Sequence, residues 1–248
     1  MGSKVNPTNP LILCNKLPTK RRRICPKTTS FSSASYSQNQ QKQASTSTAN
    51  ISTQTQQLKS ELYTVNFRTL GACKLGISRY PDFEYNAEGG EGTGSGSKVL
   101  ESNSNDDEIL VSFDIKTLYI PPLTSSTTKF LGLPLPPFLK IRIDPEIFRG
   151  SINQNTGKVN FEFKAKFWFS VGSIYKAPPL VVATVLTSEE SVGKIRSGRG
   201  DRLDKEGKCR LVGVATVDPI DDFLMNSFLG LPTECLANLN AIISSNSS

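Results

Sequence analysis

The chain has 248 residues, and its 29 Lys and Arg residues against 22 Asp and Glu residues give a net charge of +7 at pH 7. It contains no histidine, which excludes Ser-His-Asp and Cys-His catalysis, histidine-ligated zinc or haem, and an imidazole general base. No segment approaches the roughly 18 consecutive apolar residues of a membrane-spanning helix, so the chain is not expected to be integral to a membrane through helices.

The basic charge belongs to the first 60 residues. All 22 acidic residues lie at or after Glu61, whereas nine of the 29 basic residues precede it, including the run from Lys20 to Arg23. The remaining 20 basic and 22 acidic residues leave the rest of the chain at about −2. Nucleic-acid binding needs a basic surface, so we expect no nucleic-acid partner.

The same leader has an unusual composition. Residues 28–60 are dominated by Ser, Thr, Gln and Asn, which predicts disorder, and the apolar run Leu11–Cys14 is too short for a secretory signal. An acid-free, basic and hydroxyl-rich leader is typical of an organelle transit peptide. The chain therefore resembles a nuclear-encoded plant chloroplast precursor over roughly its first 45–60 residues. The resemblance implies a place in the stroma or at the thylakoid periphery; mitochondrial targeting, a plain tail and a nuclear signal remain alternatives.

The cysteines do not indicate a disulfide framework or a metal site. Outside the leader they are Cys73, Cys209 and Cys235, an odd number at wide spacing with no C-x-x-C motif. Buried thiols are the expectation, with a redox pair between Cys209 and Cys235 as the alternative. We predict no metal and no cofactor.

Residues 61–248 are predicted to form a single β-rich domain. Glu61 to Arg79 alternates moderately and favours one or two strands. Residues 86–108 combine glycine, serine and acidic residues, which is typical of flexible linkers. We therefore expect a long exposed loop there.

Apolar and polar residues alternate from Ile109 onward, for example in 109–115 and 139–143. The clearest strand runs from Lys158 to Val171, after a hairpin turn at Asn155–Gly157. At roughly 3.3 Å per residue this strand is about 45 Å long, and strands of that length usually curl. The expected fold is α+β, mainly antiparallel β, with a curved sheet or β-barrel-like domain of about seven or eight strands.

Two short helices are expected to follow the strands. Asp218 to Asp222 has the composition of a helix start, and Gly230 can end that helix. Pro232 is predicted to open a second helix with Leu236, Leu239 and Ile243 on one face. The fold class therefore includes one or two C-terminal helices.

Four phenylalanines on one face of the long strand are the main candidate site. The residues are Phe161, Phe163, Phe167 and Phe169. They either fill the core with their own side chains or line a cavity for an apolar ligand such as a lipid, quinone or pigment. Sequence does not report volume, so both interpretations stay open.

A second candidate is the stretch 120–138, which has five prolines yet many large apolar residues. Prolines exclude a central strand or a regular helix, so the stretch is either laid over the core or offered to a membrane or protein partner. With Lys129 and Lys140 nearby it would suit an anionic bilayer. The candidate membrane or partner contacts are Phe130, Leu131, Leu133, Leu135 and Phe138.

These features favour a non-catalytic chloroplast protein that binds an apolar ligand or assists thylakoid membrane or protein-complex assembly. The alternative is a plastid enzyme that uses carboxylate, lysine or cysteine chemistry without histidine. Asp218, Asp221 and Asp222 would be its carboxylates, but their place at a helix start explains them as capping residues.

Overall fold

Antiparallel strands make up most of the computed structural model, which describes residues 60–99 and 108–247. In chain order the elements are β1 Ser60–Thr69, β2 Cys73–Ile77, β3 Phe83–Tyr85, β4 Glu91–Val99, β5 Glu108–Phe113, β6 Thr128–Phe130, β7 Leu133–Pro134, β8 Leu139–Asn153, β9 Val159–Val171, β10 Tyr175–Lys176, β11 Leu180–Thr187, β12 Glu190–Val192, β13 Ser197–Arg199, β14 Lys208–Val217, α1 Phe223–Leu229 and β15 Thr233–Ser247. The predicted transit peptide, except for Ser60, lies outside the described residues.

Eight of these strands close into a ring in the order β1, β4, β5, β8, β9, β11, β14 and β15, with β15 pairing back to β1. All the pairings are antiparallel. The prediction of a mainly antiparallel, curved and barrel-like sheet is therefore confirmed. A register shift between Pro145 and Ile147 in β8 bends the long β8–β9 hairpin, because proline lacks the N–H that a regular ladder needs.

Because neighbouring strands of the ring run in opposite directions, their connections gather at its two ends. We call one of these the loop end. It carries the connections 70–90, 114–138, 172–179 and 218–232. The other end carries the turn 154–158 and the connection 188–207, in which β12 and β13 form a separate hairpin.

The predicted first helix is present as α1. Its N-cap is Asp222, whose side chain accepts a hydrogen bond from the Met225 N–H at 2.8 Å, so the cap is not Asp218. Gly230 ends the helix in the left-handed conformation with φ 69°, as expected. Helical structure among the described residues is nowhere long and apolar enough to cross a bilayer.

The second predicted helix is wrong, because residues 233–247 form strand β15. Leu236, Leu239 and Ile243 have helical spacing, but Leu239, Ala241 and Ile243 have the every-second-residue spacing of a strand. The segment follows the strand pattern. β15 pairs with β14 on one side and with β1 and β2 on the other, so its backbone groups are satisfied by the sheet.

The predicted loop 86–108 is also wrong in part, because Glu91–Val99 forms β4. Its glycines are there for packing and not for flexibility: Gly92, Gly94 and Gly96 are buried on the inner face. A Cβ on Gly92 would lie 2.6 Å from Leu118 Cδ1. Residues 100–107 lie outside the described residues.

The side chains of four phenylalanines fill the interior of the closed sheet halfway between its two ends. Phe113 stacks on Phe148 with ring centroids 4.5 Å apart, and Phe67 and Phe161 each meet Phe148 edge-on at 5.1 Å. Below them, Val159 and Leu211 have no exposed surface. This aromatic layer separates a packed half of the interior from the half that faces the loop end.

Candidate ligand-binding cavity

A cavity of about 600 Å³ lies between the aromatic layer and the loop end. Its floor is formed by Phe67 and Phe148, and its wall by the inner faces of β8, β9, β11, β14 and β15. Known small-molecule sites enclose roughly 300–1,000 Å³, so a drug-sized or lipid-sized molecule fits this volume.

The cavity wall offers almost nothing but apolar contact. No lining residue carries a charge. The hydroxyl of Thr184 donates to the Val214 carbonyl at 2.8 Å, and those of Thr69 and Tyr85 donate to the carbonyls of Ala87 and Pro121. Since these donors already have backbone partners, a bound molecule would be held by shape and by burial of its apolar surface.

The thiol of Cys235 also lines the cavity. Burial raises its pKa to about 11, so the thiol is protonated at neutral pH and is a poor nucleophile. In the parts of the chain that the structure describes, no cluster of three or more Cys, Asp or Glu side chains is arranged to hold a metal ion.

The phenylalanine row of β9 spans both halves of the interior. Phe161 is fully buried in the aromatic layer, whereas Phe163, Phe167 and Phe169 line the cavity. All four project inward from one face, as the alternation predicts. The two interpretations of the row therefore apply to different residues: the first is core and the other three are wall.

The proline-rich connection contributes to the cavity mouth. Phe130, Leu131, Leu133 and Leu135 all line the cavity. Leu135 is 6% exposed and packs inward, but Leu131 and Leu133 are each 70% exposed. Phe138 lies beyond the lining and is 79% exposed. Within the connection Leu123 and Leu135 pack into the core and Phe130 packs against them, whereas Leu131 and Leu133 are presented at the opening.

Tyr80 joins two sides of the mouth. Its ring lies 6.2 Å from that of Phe130 and 5.6 Å from that of Phe228 in α1, and its hydroxyl donates to the Phe228 carbonyl at 2.6 Å. No local pattern in the sequence indicates this contact. Phe130, Tyr80 and Phe228 stand on three separate connections, which meet only because the strand order brings them together.

The turn that carries Tyr80 is held from outside the ring by the β12–β13 hairpin. Arg196 donates to the carbonyls of Ile77 and Tyr80, both at 2.7 Å, and forms an ion pair with Asp82 at 2.7 Å. These hydrogen bonds and the ion pair therefore hold the backbone of the turn that places Tyr80 at the mouth.

Glu234 in turn fixes the hairpin. Its carboxylate accepts hydrogen bonds from the backbone N–H groups of Arg196, Ile195 and Lys194 at 2.9, 2.8 and 2.6 Å. These N–H groups lower the pKa of Glu234 below its ordinary value, since they stabilise the charged form.

Comparison with known proteins adds no relative: the chain matches no protein-family model, no curated protein and no solved structure. The functional argument therefore rests on the cavity itself.

Proposed function

We propose that the protein is a non-catalytic binding protein that holds an apolar molecule, such as a lipid, quinone or pigment, inside the ring. The observation that carries the proposal is the uncharged cavity of about 600 Å³, closed below by the aromatic layer and open at the loop end. Such a protein would carry its ligand or use it during assembly of a membrane or protein complex.

The size of the cavity supports an occupant. A closed, empty cavity costs about 24 cal/mol per Å³, which for 600 Å³ would be about 14 kcal/mol; because this cavity is open at the loop end, that figure is an upper bound. That is comparable with the whole stability of a typical domain, about 5–15 kcal/mol. An engineered apolar cavity of only about 150 Å³ already binds benzene. A ring built around this much open volume is best explained by a ligand that fills it.

The alternative of a plastid enzyme has less support. Catalysis needs an activated nucleophile, acid or base near the substrate. Among the described cavity residues, Cys235 is protonated and the hydroxyls of Thr69 and Thr184 are engaged with backbone carbonyls.

A chloroplast location remains a proposal that rests on the leader's composition; import of the full chain into isolated chloroplasts, with and without residues 1–60, tests it.

Two measurements test the ligand proposal. Native mass spectrometry and organic extraction of the protein from its source should show an apolar molecule at near-stoichiometric amounts. The purified full chain should also bind the apolar fluorophore N-phenyl-1-naphthylamine. Ala215→Phe, on the cavity wall, should weaken this binding by roughly tenfold or more because it fills the site.

The matched control is Ala183→Phe, which adds the same ring to the exposed outer face of β11. It should leave probe affinity unchanged. The proposal would be contradicted if Ala215→Phe and the unmodified protein bound the probe with equal affinity while thermal unfolding showed that both were folded.

A further inference from the structure

Large exposed apolar side chains surround the cavity mouth. We call them the crown: Tyr119, Leu131, Leu133, Phe138, Ile174, Phe223, Leu224 and Phe228, which are 49–92% exposed. They come from three of the four connections at the loop end. The other exposed large apolar side chains of the described residues are spread over outer strand faces, the far end and the β12–β13 hairpin. A concentration of this kind marks a binding surface.

The backbone presents two of these side chains at a cost. Leu131 and Phe138 adopt left-handed conformations with φ 52° and 70°. Leu131 and Gly132 form the two-residue loop between β6 and β7, where a positive φ favours Asn or Gly at the first position. Since both side chains are at least 70% exposed, packing does not repay the strain. Left-handed backbone at exposed apolar residues points to a function for these side chains.

The crown is continuous with the cavity. Tyr119, Leu131, Leu133 and Phe228 belong to both, so apolar surface runs unbroken from the tips of the connections to the interior. If a partner covered the crown, the cavity mouth would face that partner directly, and water would be excluded from the space between them. Hydrocarbon is the partner chemistry that matches such a surface.

We propose that the loop end inserts into the surface of a lipid bilayer, with the crown side chains in the acyl region and the cavity mouth facing the hydrocarbon. Membrane insertion is a function in addition to ligand binding and does not depend on it.

Charges near the crown indicate how the insertion is driven. Lys140 and Lys176 flank Ser170 on the outer face at the loop end, where their ammonium groups can reach lipid phosphates. Asp218 and Asp221, both exposed, precede α1 at the same end and offset that attraction. Binding is therefore driven by apolar insertion, and it should persist on uncharged lipid and at high salt.

Flotation of the full chain with phosphatidylcholine vesicles at high salt tests the proposal. The unmodified protein should float with the vesicles. A crown variant, Phe138→Ser/Ile174→Ser/Phe223→Ser, should lose roughly tenfold or more in partition, since three inserted side chains become polar. None of these three residues lines the cavity. The matched control, Leu62→Ser/Leu110→Ser/Ile195→Ser, removes three apolar side chains elsewhere that are 55–73% exposed and should float as the unmodified protein does.

Three results would overturn it: no flotation of the unmodified protein, an equal loss in the control variant, or a dimer in solution that the crown variant converts to monomers. The last result would assign the crown to a second copy of the chain. Binding of N-phenyl-1-naphthylamine is measured on the same variants without vesicles. Because the crown variant should retain it, failure of membrane insertion is distinguishable from failure of ligand binding.

Discussion

Phe161 and Phe163 are two residues apart on the inner face of β9, and both contact Phe148, yet only Phe163 borders the cavity. The ring of Phe161 lies 5.1 Å from that of Phe148 and has no exposed surface. The ring of Phe163 lies 6.1 Å from it and faces open volume on its other side. The boundary between packed core and binding site therefore runs between these two residues.

Alanine substitutions should separate the two roles. Phe161→Ala removes a ring packed on every side and should lower the free energy of unfolding by about 3–5 kcal/mol. Phe163→Ala only enlarges an existing cavity and should lower the free energy of unfolding by about 1–2 kcal/mol. It should change probe affinity more strongly than Phe161→Ala does. Urea unfolding followed by circular dichroism measures both losses of stability. Equal losses of about 3–5 kcal/mol would show that Phe163 is packed core and that the cavity begins higher in the ring.

Glu234 gives the fold a specific dependence on pH. Its pKa is lowered in the folded protein by hydrogen bonds from the backbone N–H groups of Arg196, Ile195 and Lys194. A lowered folded-state pKa means that the stabilisation is complete above the ordinary glutamate value, about 4.3, and is lost as pH falls through the folded-state value. Glu234→Gln should therefore melt at a lower temperature than the unmodified protein at pH 7, and the difference should shrink towards pH 3.

Thermal unfolding of the two proteins across this pH range measures the effect. Glu190→Gln, which removes an exposed carboxylate from the same hairpin, serves as the control and should show no such convergence. A difference between Glu234→Gln and the unmodified protein that stays constant from pH 7 to 3 would contradict an electrostatic role for the carboxylate.

The sequence predicted those parts of the fold whose side chains alternate visibly. The inner face of β9 and the closed or curved sheet follow from period-two patterns. β4 shows no alternation in the sequence because its inward positions are Gly92, Gly94 and Gly96, which have no side chains. The helix predicted over β15 is wrong because Leu236, Leu239 and Ile243 have helical spacing while Leu239, Ala241 and Ile243 have strand spacing, and only pairing with β1 and β14 decides between them.

The candidate site was predictable only in pieces. Phe163, Phe167 and Phe169 could be placed on an inner face, and the apolar character of 120–138 was evident. Their meeting with Tyr80 and Phe228 depends on the order of strands around the ring, which no local pattern encodes. Cavity volume likewise depends on packing across the whole interior.

The packing role of the β4 glycines can be tested at Gly94. A Cβ there would lie 2.8 Å from the Ser112 carbonyl oxygen and 3.0 Å from Phe113 Cδ1, so backbone must move. Gly94→Ala should lower the free energy of unfolding by about 1–3 kcal/mol, the usual range for overpacking. Ser95→Ala, on the exposed face of the same strand, should change it by less than about 0.5 kcal/mol. An unchanged or raised stability for Gly94→Ala would show that β4 is loose and that its glycines serve flexibility.

Phe138 offers a test of whether the crown is kept for function at the expense of stability. Its backbone is left-handed, with φ 70°, and its side chain is 79% exposed. Asparagine tolerates this conformation better, so Phe138→Asn should raise the free energy of unfolding by roughly 0.5–1 kcal/mol while it weakens flotation with phosphatidylcholine vesicles.

Phe223→Asn is the control, because Phe223 is 87% exposed but lies in the first turn of α1 with no such strain. It should weaken flotation without any gain in stability, so the two variants share the loss of membrane contact and differ in the relief of strain. If Phe138→Asn instead destabilised the protein by more than about 1 kcal/mol, Phe138 would be a packing residue. Its left-handed backbone would then serve the fold and not the bilayer.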